Sequence, residues 1–132
     1  MCLALYLIAD CALPVVESDS LTVSPIHKPR WAKPAVAGPE VYRFGPPGCA
    51  CSLLRDGEAE VPDADRDRQL AAAEDYLEEV TATGPVTVLV SWMGDERKEP
   101  TIEEATPGSF KAIDFDRAWQ KPIRVTVAPR DA

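Results

Sequence analysis

Residues 64–92 read ADRDRQLAAAEDYLEEVTATGPVTVLVSW and contain, one after the other, the two most regular hydrophobic patterns in the chain. In the first part, apolar side chains recur every three or four residues, which predicts an amphipathic helix over about 64–82. These side chains are Leu70, Ala73, Leu77 and Val80. Gly84 followed by Pro85 predicts the end of this helix. The β-branched run over residues 86–92 then predicts a buried strand.

Other segments complete the predicted fold around this helix and strand. Residues 2–9 are a continuous apolar run that Asp10 ends, which predicts a central strand buried on both faces. Further strands are predicted at residues 21–24, 41–44, 51–54 and 123–127, with a strand or short helix at 109–113 and a helical turn at 114–119. A strand, a long helix and a strand in succession predict a right-handed crossover onto a parallel neighbour. We therefore expect one α+β domain over residues 1–132, a two-layer structure in which the long helix packs on a mixed sheet.

The composition favours an acidic protein that binds neither nucleic acid nor membranes. The 132 residues include 22 acidic and 14 basic side chains, for a formal net charge of -8, and 45% are apolar. Nucleic-acid affinity depends on Lys and Arg that neutralise phosphates, and this balance opposes it. The apolar run near the start is too short to span a bilayer, and no Lys or Arg precedes Lys28 as a secretory signal requires. We expect a cytoplasmic protein, whose thiols are kept reduced.

Three cysteines are the first group of candidate site residues. The turn Gly-Cys-Ala-Cys places Cys49 and Cys51 two residues apart, and in an extended segment both sulfurs would project from one face. Such a pair suits a thiophilic ion such as Zn²⁺ or Cu⁺, and Cys2 would join it if the turn lay over the start of the first strand. A closed zinc site needs four ligands, and the remaining candidates are Cys11 and His27. The alternative is that these small side chains only fill space in the core, so no cofactor is predicted, although the thiols admit Zn²⁺.

Cys2 also suits a different chemistry. Removal of the initiator methionine would leave a free amine beside the Cys2 thiol, and that amine could act as the thiol's general base. This is the logic of an N-terminal-cysteine hydrolase. The alternative is that Cys2 is the first residue of a buried strand.

The second group of candidates is a turn that follows the predicted strand over residues 86–92. It contains Trp92, Asp95 and Glu96, at a sheet edge where ligands often bind in α/β proteins. The two carboxylates could hold a cation or act as an acid and a base. The alternative is an ordinary solvated turn.

These motifs together resemble a family of small bacterial proteins whose function is uncharacterised. The resemblance rests on a Met-Cys-Leu opening, a Gly-Cys-Gly-Cys turn and a Trp-Asp-Gly-Asp-Glu turn. The chain departs from the pattern at Ala50, Ser52 and Met93. The family implies no activity, and the resemblance marks only the matching positions Cys2, Cys49, Cys51, Trp92, Asp95 and Glu96.

Three functional hypotheses follow from the sequence. The first is a non-catalytic module that binds a protein or a small molecule or associates with itself as a homo-oligomer. The second is a thiol-based metal-binding or redox module that uses Cys49 and Cys51 together with Cys2. The third is the N-terminal-cysteine hydrolase. No glycine-rich phosphate loop, dinucleotide fingerprint or His-Glu-x-x-His helix supports a nucleotide-binding or metalloprotease function.

Overall fold

The computed structural model describes residues 3–26, 40–47, 50–54 and 63–129. The strands are β1 (Leu3–Ala9), β2 (Val16–Glu17), β3 (Thr22–Pro25), β4 (Glu40–Gly45), β5 (Val86–Trp92), β6 (Thr101–Ala105) and β7 (Ile123–Val127), and the α-helix is α1 (Asp63–Val80). Within these ranges the strands form a single sheet in the order β2-β3-β4-β1-β5-β7-β6. The sheet is mixed, because β6 and β7 are parallel while the other neighbouring pairs are antiparallel. The predicted α+β class, a mixed sheet with one long helix, is confirmed.

β1 occupies the middle of the sheet, as its continuous apolar sequence predicts. All seven of its residues are buried. Leu5 pairs with Phe44 of β4 on one side and with Val90 of β5 on the other. A strand that is apolar at every position needs cover on both faces, and the centre of a sheet provides it.

The predicted crossover onto a parallel neighbour is wrong. β4 and β5, which precede and follow α1, both pair antiparallel with β1. They are therefore parallel to each other, but β1 lies between them. The sequence pattern of strand, helix and strand could not reveal this, because the intervening strand comes from the start of the chain.

α1 covers one face of the sheet. Leu77 is fully buried and belongs to the main core cluster, together with Leu5, Leu7 and Val88 of the central strands. Tyr76 fixes the helix at a second point, since its hydroxyl donates a 2.7 Å hydrogen bond to the carbonyl oxygen of Pro14. The helix continues as a 3₁₀ turn over Thr81–Thr83. None of the described helices combines the length and the apolar character that a bilayer span requires.

The opposite face of the sheet carries a second, smaller buried cluster. It consists of Ala4, Tyr6, Ile8, Val41 and Leu89. Alternate residues of β1 therefore serve the two clusters, as the two-residue period of a strand requires. Tyr6 connects this second face to the turn after β5, because its hydroxyl donates a hydrogen bond to Glu96.

Residues 51–54 do not form the predicted strand. Residues Ala50–Leu53 form a 3₁₀ helix, in which the Cys51 carbonyl accepts a 3.1 Å bond from the Leu54 N–H. The expectation that Cys49 and Cys51 share a face of an extended segment therefore fails from Ala50 onward. Small side chains at Ala50 and Ser52 give the segment little preference for a strand, and tertiary contacts set its conformation.

Two further 3₁₀ helices follow β6. Pro107–Ala112 matches the helical alternative for residues 109–113, and Phe115–Trp119 confirms the helical turn predicted at 114–119. The first begins with Thr106, whose N–H donates a 2.9 Å bond to the Ser109 hydroxyl. The sequence did not predict β2 or β6.

Candidate functional site

The two groups of candidate residues meet at one end of the sheet. Leu3, the first residue of β1, pairs with Trp92, the last residue of β5. The backbone N–H of Leu3 donates a 3.3 Å hydrogen bond to the sulfur of Cys51. We call this region, made of Leu3, Cys51, Trp92 and the turn over residues 93–98, the Leu3 end. Cys51 and Trp92 therefore lie on either side of one residue, although they are 41 positions apart in the chain.

Cys2 and Cys49 lie outside the described residues. Cys2 is bonded to Leu3 in the chain, and Cys49 is two positions before Cys51. The structure thus places one of the three thiol candidates, and it places that one beside the residue that follows Cys2. Cys11 is exposed in the segment after β1.

Short-range contacts hold Cys51 in place. Its 3₁₀ helix buries Ala50 and Leu53 on either side of it. Ser52 donates a 2.7 Å hydrogen bond to the Gln69 side chain, which attaches the segment to α1. Cys51 itself is partly exposed. The sulfur therefore combines a fixed position with access to solvent. The hydrogen bond that it accepts from the Leu3 N–H is a contact typical of metal-bound thiolates.

Trp92 forms an aromatic pair at the same end. Its ring centroid lies 4.1 Å from that of Trp119, with the ring planes tilted by 42°. Trp92 is buried, whereas Trp119 is 51% exposed. The Trp92 Nε1 atom is buried and has no hydrogen-bond partner among the described residues. An unsatisfied buried donor costs free energy, so packing must hold this ring in its position.

The turn after Trp92 uses its carboxylates for hydrogen bonds and an ion pair. Glu96 Oε1 accepts a 2.8 Å bond from the Gly94 N–H, and Glu96 Oε2 accepts a 3.0 Å bond from the Tyr6 hydroxyl. Asp95 forms an ion pair with Lys98 at 3.1 Å. Gly94 has a φ of 105°, a conformation that glycine adopts readily. These contacts give each candidate carboxylate a structural role in the turn.

Tyr6 is a residue of this region that the sequence analysis missed. Burial and the Glu96 carboxylate raise the pKa of Tyr6 well above its usual value, and the opposing effect of Arg43, its cross-strand partner, is smaller. One sequence feature could have identified Tyr6 as a residue of interest: it is the one side chain of β1 that carries a hydrogen-bonding group. Tyr6 links the turn to the central strand and keeps its proton at neutral pH.

Cavities lie elsewhere on the molecule. One of about 640 Å³ lies between α1 and the 3₁₀ helix Pro107–Ala112, where Arg66, Leu70 and Lys111 are among its lining residues. Another of about 430 Å³ lies beside β6. Within the described part of the chain, no three His, Cys, Asp or Glu side chains are grouped as metal ligands. The Leu3 end thus offers one placed thiol, and any further thiol ligand there must come from Cys2 or Cys49, which lie outside the described residues, because Cys11 follows the opposite end of β1.

Comparisons of the chain with protein-family models, with curated proteins and with solved structures find no match. The resemblance to a family of small bacterial proteins therefore stays a prediction.

Proposed function

We propose that the protein is a non-catalytic binding module, and that its ligand is a thiophilic metal ion held at the Leu3 end by Cys51 together with Cys2 and Cys49. The observation that carries the proposal is the hydrogen bond from the Leu3 N–H to the Cys51 sulfur. Cys51 is the one thiol of the three that lies among the described residues, and this bond holds it beside Leu3. Because Cys2 directly precedes Leu3 in the chain, we infer that the Cys2 thiol is close to Cys51.

The chemistry of the donors favours a soft metal. Thiolates select Zn²⁺, Cu⁺ and similar ions over Mg²⁺ or Ca²⁺, which prefer oxygen ligands. A backbone N–H donor to a ligating sulfur compensates part of the charge that a thiolate brings into a protein. The formal net charge of -8 further favours a cation over an anion. A cytoplasmic location belongs with this proposal, since reduced thiols are available to a metal there.

Cobalt titration tests the proposal directly. Co²⁺ bound to thiolates gives an intense sulfur-to-metal charge-transfer absorption, and Zn²⁺ should displace it. We expect the reduced, full-length protein to develop this absorption and to release protons as it binds. The variant Cys51→Ser should weaken binding by about tenfold or more. Cys11→Ser is the matched control, because Cys11 is an exposed cysteine remote from the Leu3 N–H bond.

Several outcomes would overturn the metal site. One is the absence of a charge-transfer band in the reduced wild-type protein. Another is equal Co²⁺ affinity in Cys51→Ser and Cys11→Ser, with both variants folded as judged by their urea midpoints. A native mass spectrum of the same sample reports whether Met1 is removed, which the hydrolase hypothesis requires, and whether the protein self-associates.

A further inference from the structure

We propose a second binding surface, independent of the thiol site: the outer edge of β6 binds an extended, basic peptide segment by adding it to the sheet as a further strand. Among the described residues β6 is the last strand in the sheet order, with β7 as its neighbour on one side and no described strand on the other. The other side presents backbone groups that a peptide can pair with.

The hydrogen-bond pattern identifies those groups. The Thr101 N–H donates to the Pro122 carbonyl at 2.8 Å, and the Ala105 carbonyl accepts from the Ala128 N–H at 2.9 Å. In a parallel ladder alternate residues of a strand face the same neighbour, so residues 101, 103 and 105 face β7. Ile102 and Glu104 therefore direct their N–H and carbonyl groups outward, and neither has a backbone partner in the described part of the chain.

This edge lacks several of the features that commonly prevent strand addition. Natural edge strands are often protected by proline, by lysine or by a bulge. The sequence of β6 is Thr-Ile-Glu-Glu-Ala, and its five residues pair with β7 without a break in register. The Ile102 side chain is 64% exposed. The opposite edge, β2, has only two residues and offers much less backbone.

Charge determines which strand fits. The cavity of about 430 Å³ beside β6 is lined by three carboxylates, from Glu103, Glu104 and Asp114, and by one guanidinium, from Arg117. Arg117 is paired with Glu103 at 2.6 Å, which leaves the exposed Asp114 as the excess negative charge on the cavity side, while Glu104 is exposed on the same side of the strand as Ile102. A second copy of this chain would bring another net charge of -8 to the same edge. A basic segment is attracted instead.

The alternation of a strand predicts the pattern of the peptide. Glu103 is in register with Val125 of the helix-side core, so Glu103 and the cavity lie on the helix side of the sheet. Ile102 projects on the other side. A peptide added to β6 would direct alternate side chains to each side. We expect Lys or Arg on the cavity side and apolar β-branched residues next to Ile102.

The probe is a labelled peptide of alternating Lys and Val, whose binding is measured by fluorescence anisotropy with the full-length protein. The variant Ile102→Pro removes an outward N–H without removing a bond to β7, and it should lower the affinity by about tenfold or more. Ile102→Thr keeps the N–H and the β-branch and is the matched control. Asp114→Asn should weaken binding mainly at low salt.

A second peptide keeps the test decisive if Ile102→Pro does not fold. Methylation of alternate backbone nitrogens preserves the charge of the peptide but removes its donors on one edge. Two such peptides are compared, one methylated at the odd and one at the even positions. We expect one of them to bind at least about tenfold more weakly than the unmethylated peptide. Equal binding by all three peptides, or a folded Ile102→Pro variant that binds like Ile102→Thr, would mean simple charge attraction and would overturn the proposal. Concentration-dependent dimerisation lost in Ile102→Pro, without peptide binding, would assign the edge to a second copy instead. Co²⁺ binding by Ile102→Pro should be unchanged, so failure here and failure of the thiol site are distinguishable.

Discussion

The hydrogen bond between Tyr6 and Glu96 should contribute measurably to stability, and the variant Tyr6→Phe isolates it. Tyr6 is 6% exposed, and its hydroxyl donates to Glu96 Oε2 at 3.0 Å. A bond to a charged group contributes about 1.5–3 kcal/mol net. Since Glu96 is half-buried and partly screened by water, we expect a loss of about 1.5 kcal/mol, equivalent to roughly 5 °C in Tm. Phenylalanine fills the same space, so no cavity adds to this loss.

Urea unfolding of a double-mutant cycle measures the bond itself. Tyr6→Phe, Glu96→Gln and the double variant should give a coupling free energy of about 1 kcal/mol. The control cycle pairs Glu96→Gln with Tyr76→Phe, because Tyr76 bonds to the Pro14 carbonyl instead, and it should be additive within about 0.5 kcal/mol. If the Tyr6 cycle were as additive as the control, this bond would not be what attaches the turn to β1.

Three further predictions concern the core, the pH dependence and the turn. Leu77→Ala should lower the free energy of unfolding by about 3 kcal/mol, measured in urea, because Leu77 is fully buried between α1 and the sheet. Burial, aided by Tyr42 and Glu79, raises the pKa of Tyr76 to about 12. Its unfolded value is about 10, so the protonated form favours folding, and this stability is complete below about pH 10 and is lost as the pH rises through 12. Absorbance of tyrosinate and circular dichroism should therefore change together in that range, and ionisation of all three tyrosines near pH 10 in a folded protein would contradict this. Gly94→Ala should destabilise the protein by about 1 kcal/mol in the same urea assay, since φ is 105° at this position, and an unchanged midpoint would contradict that strain.

The sequence predicted the elements whose signals are local. α1 and β1 follow from apolar spacing and continuity within a single segment, and both are found where the pattern indicates. β6 could not be found in this way, because Thr101–Ala105 is polar at most positions and becomes a strand only through its register with β7. The crossover was wrong for a related reason, since the partner that separates β4 from β5 is β1.

In the candidate site, too, the individual residues could be predicted from local sequence, but their contacts across the sheet could not. Cys51 and Trp92 each stood out in the sequence, but their proximity depends on the pairing of Leu3 with Trp92. Tyr6 and Glu96 meet across 90 positions of the chain, and no local pattern encodes that contact. A slip of one residue in β1 would turn Tyr6 to the helix face, so the register of the central strand is what assembles the Leu3 end.

The same register predicts that the two proposed binding sites act independently. β5 and β7 separate β1 from β6, so about three strand spacings, or roughly 14 Å, lie between Leu3, beside which the metal is proposed to bind, and β6. At physiological ionic strength the Debye length is about 8 Å, and a metal charge at that distance changes the energy of a peptide charge by only about 0.1 kcal/mol. We therefore expect Co²⁺ to alter the affinity of the Lys-Val peptide by less than about twofold. A larger change would require a structural connection, and the turn over residues 93–100 is the segment that could supply it, because it joins Trp92 directly to Thr101. In that case Gly94→Ala, which perturbs this turn without removing a proposed metal ligand or a backbone group of the β6 edge, should change the coupling between the two ligands.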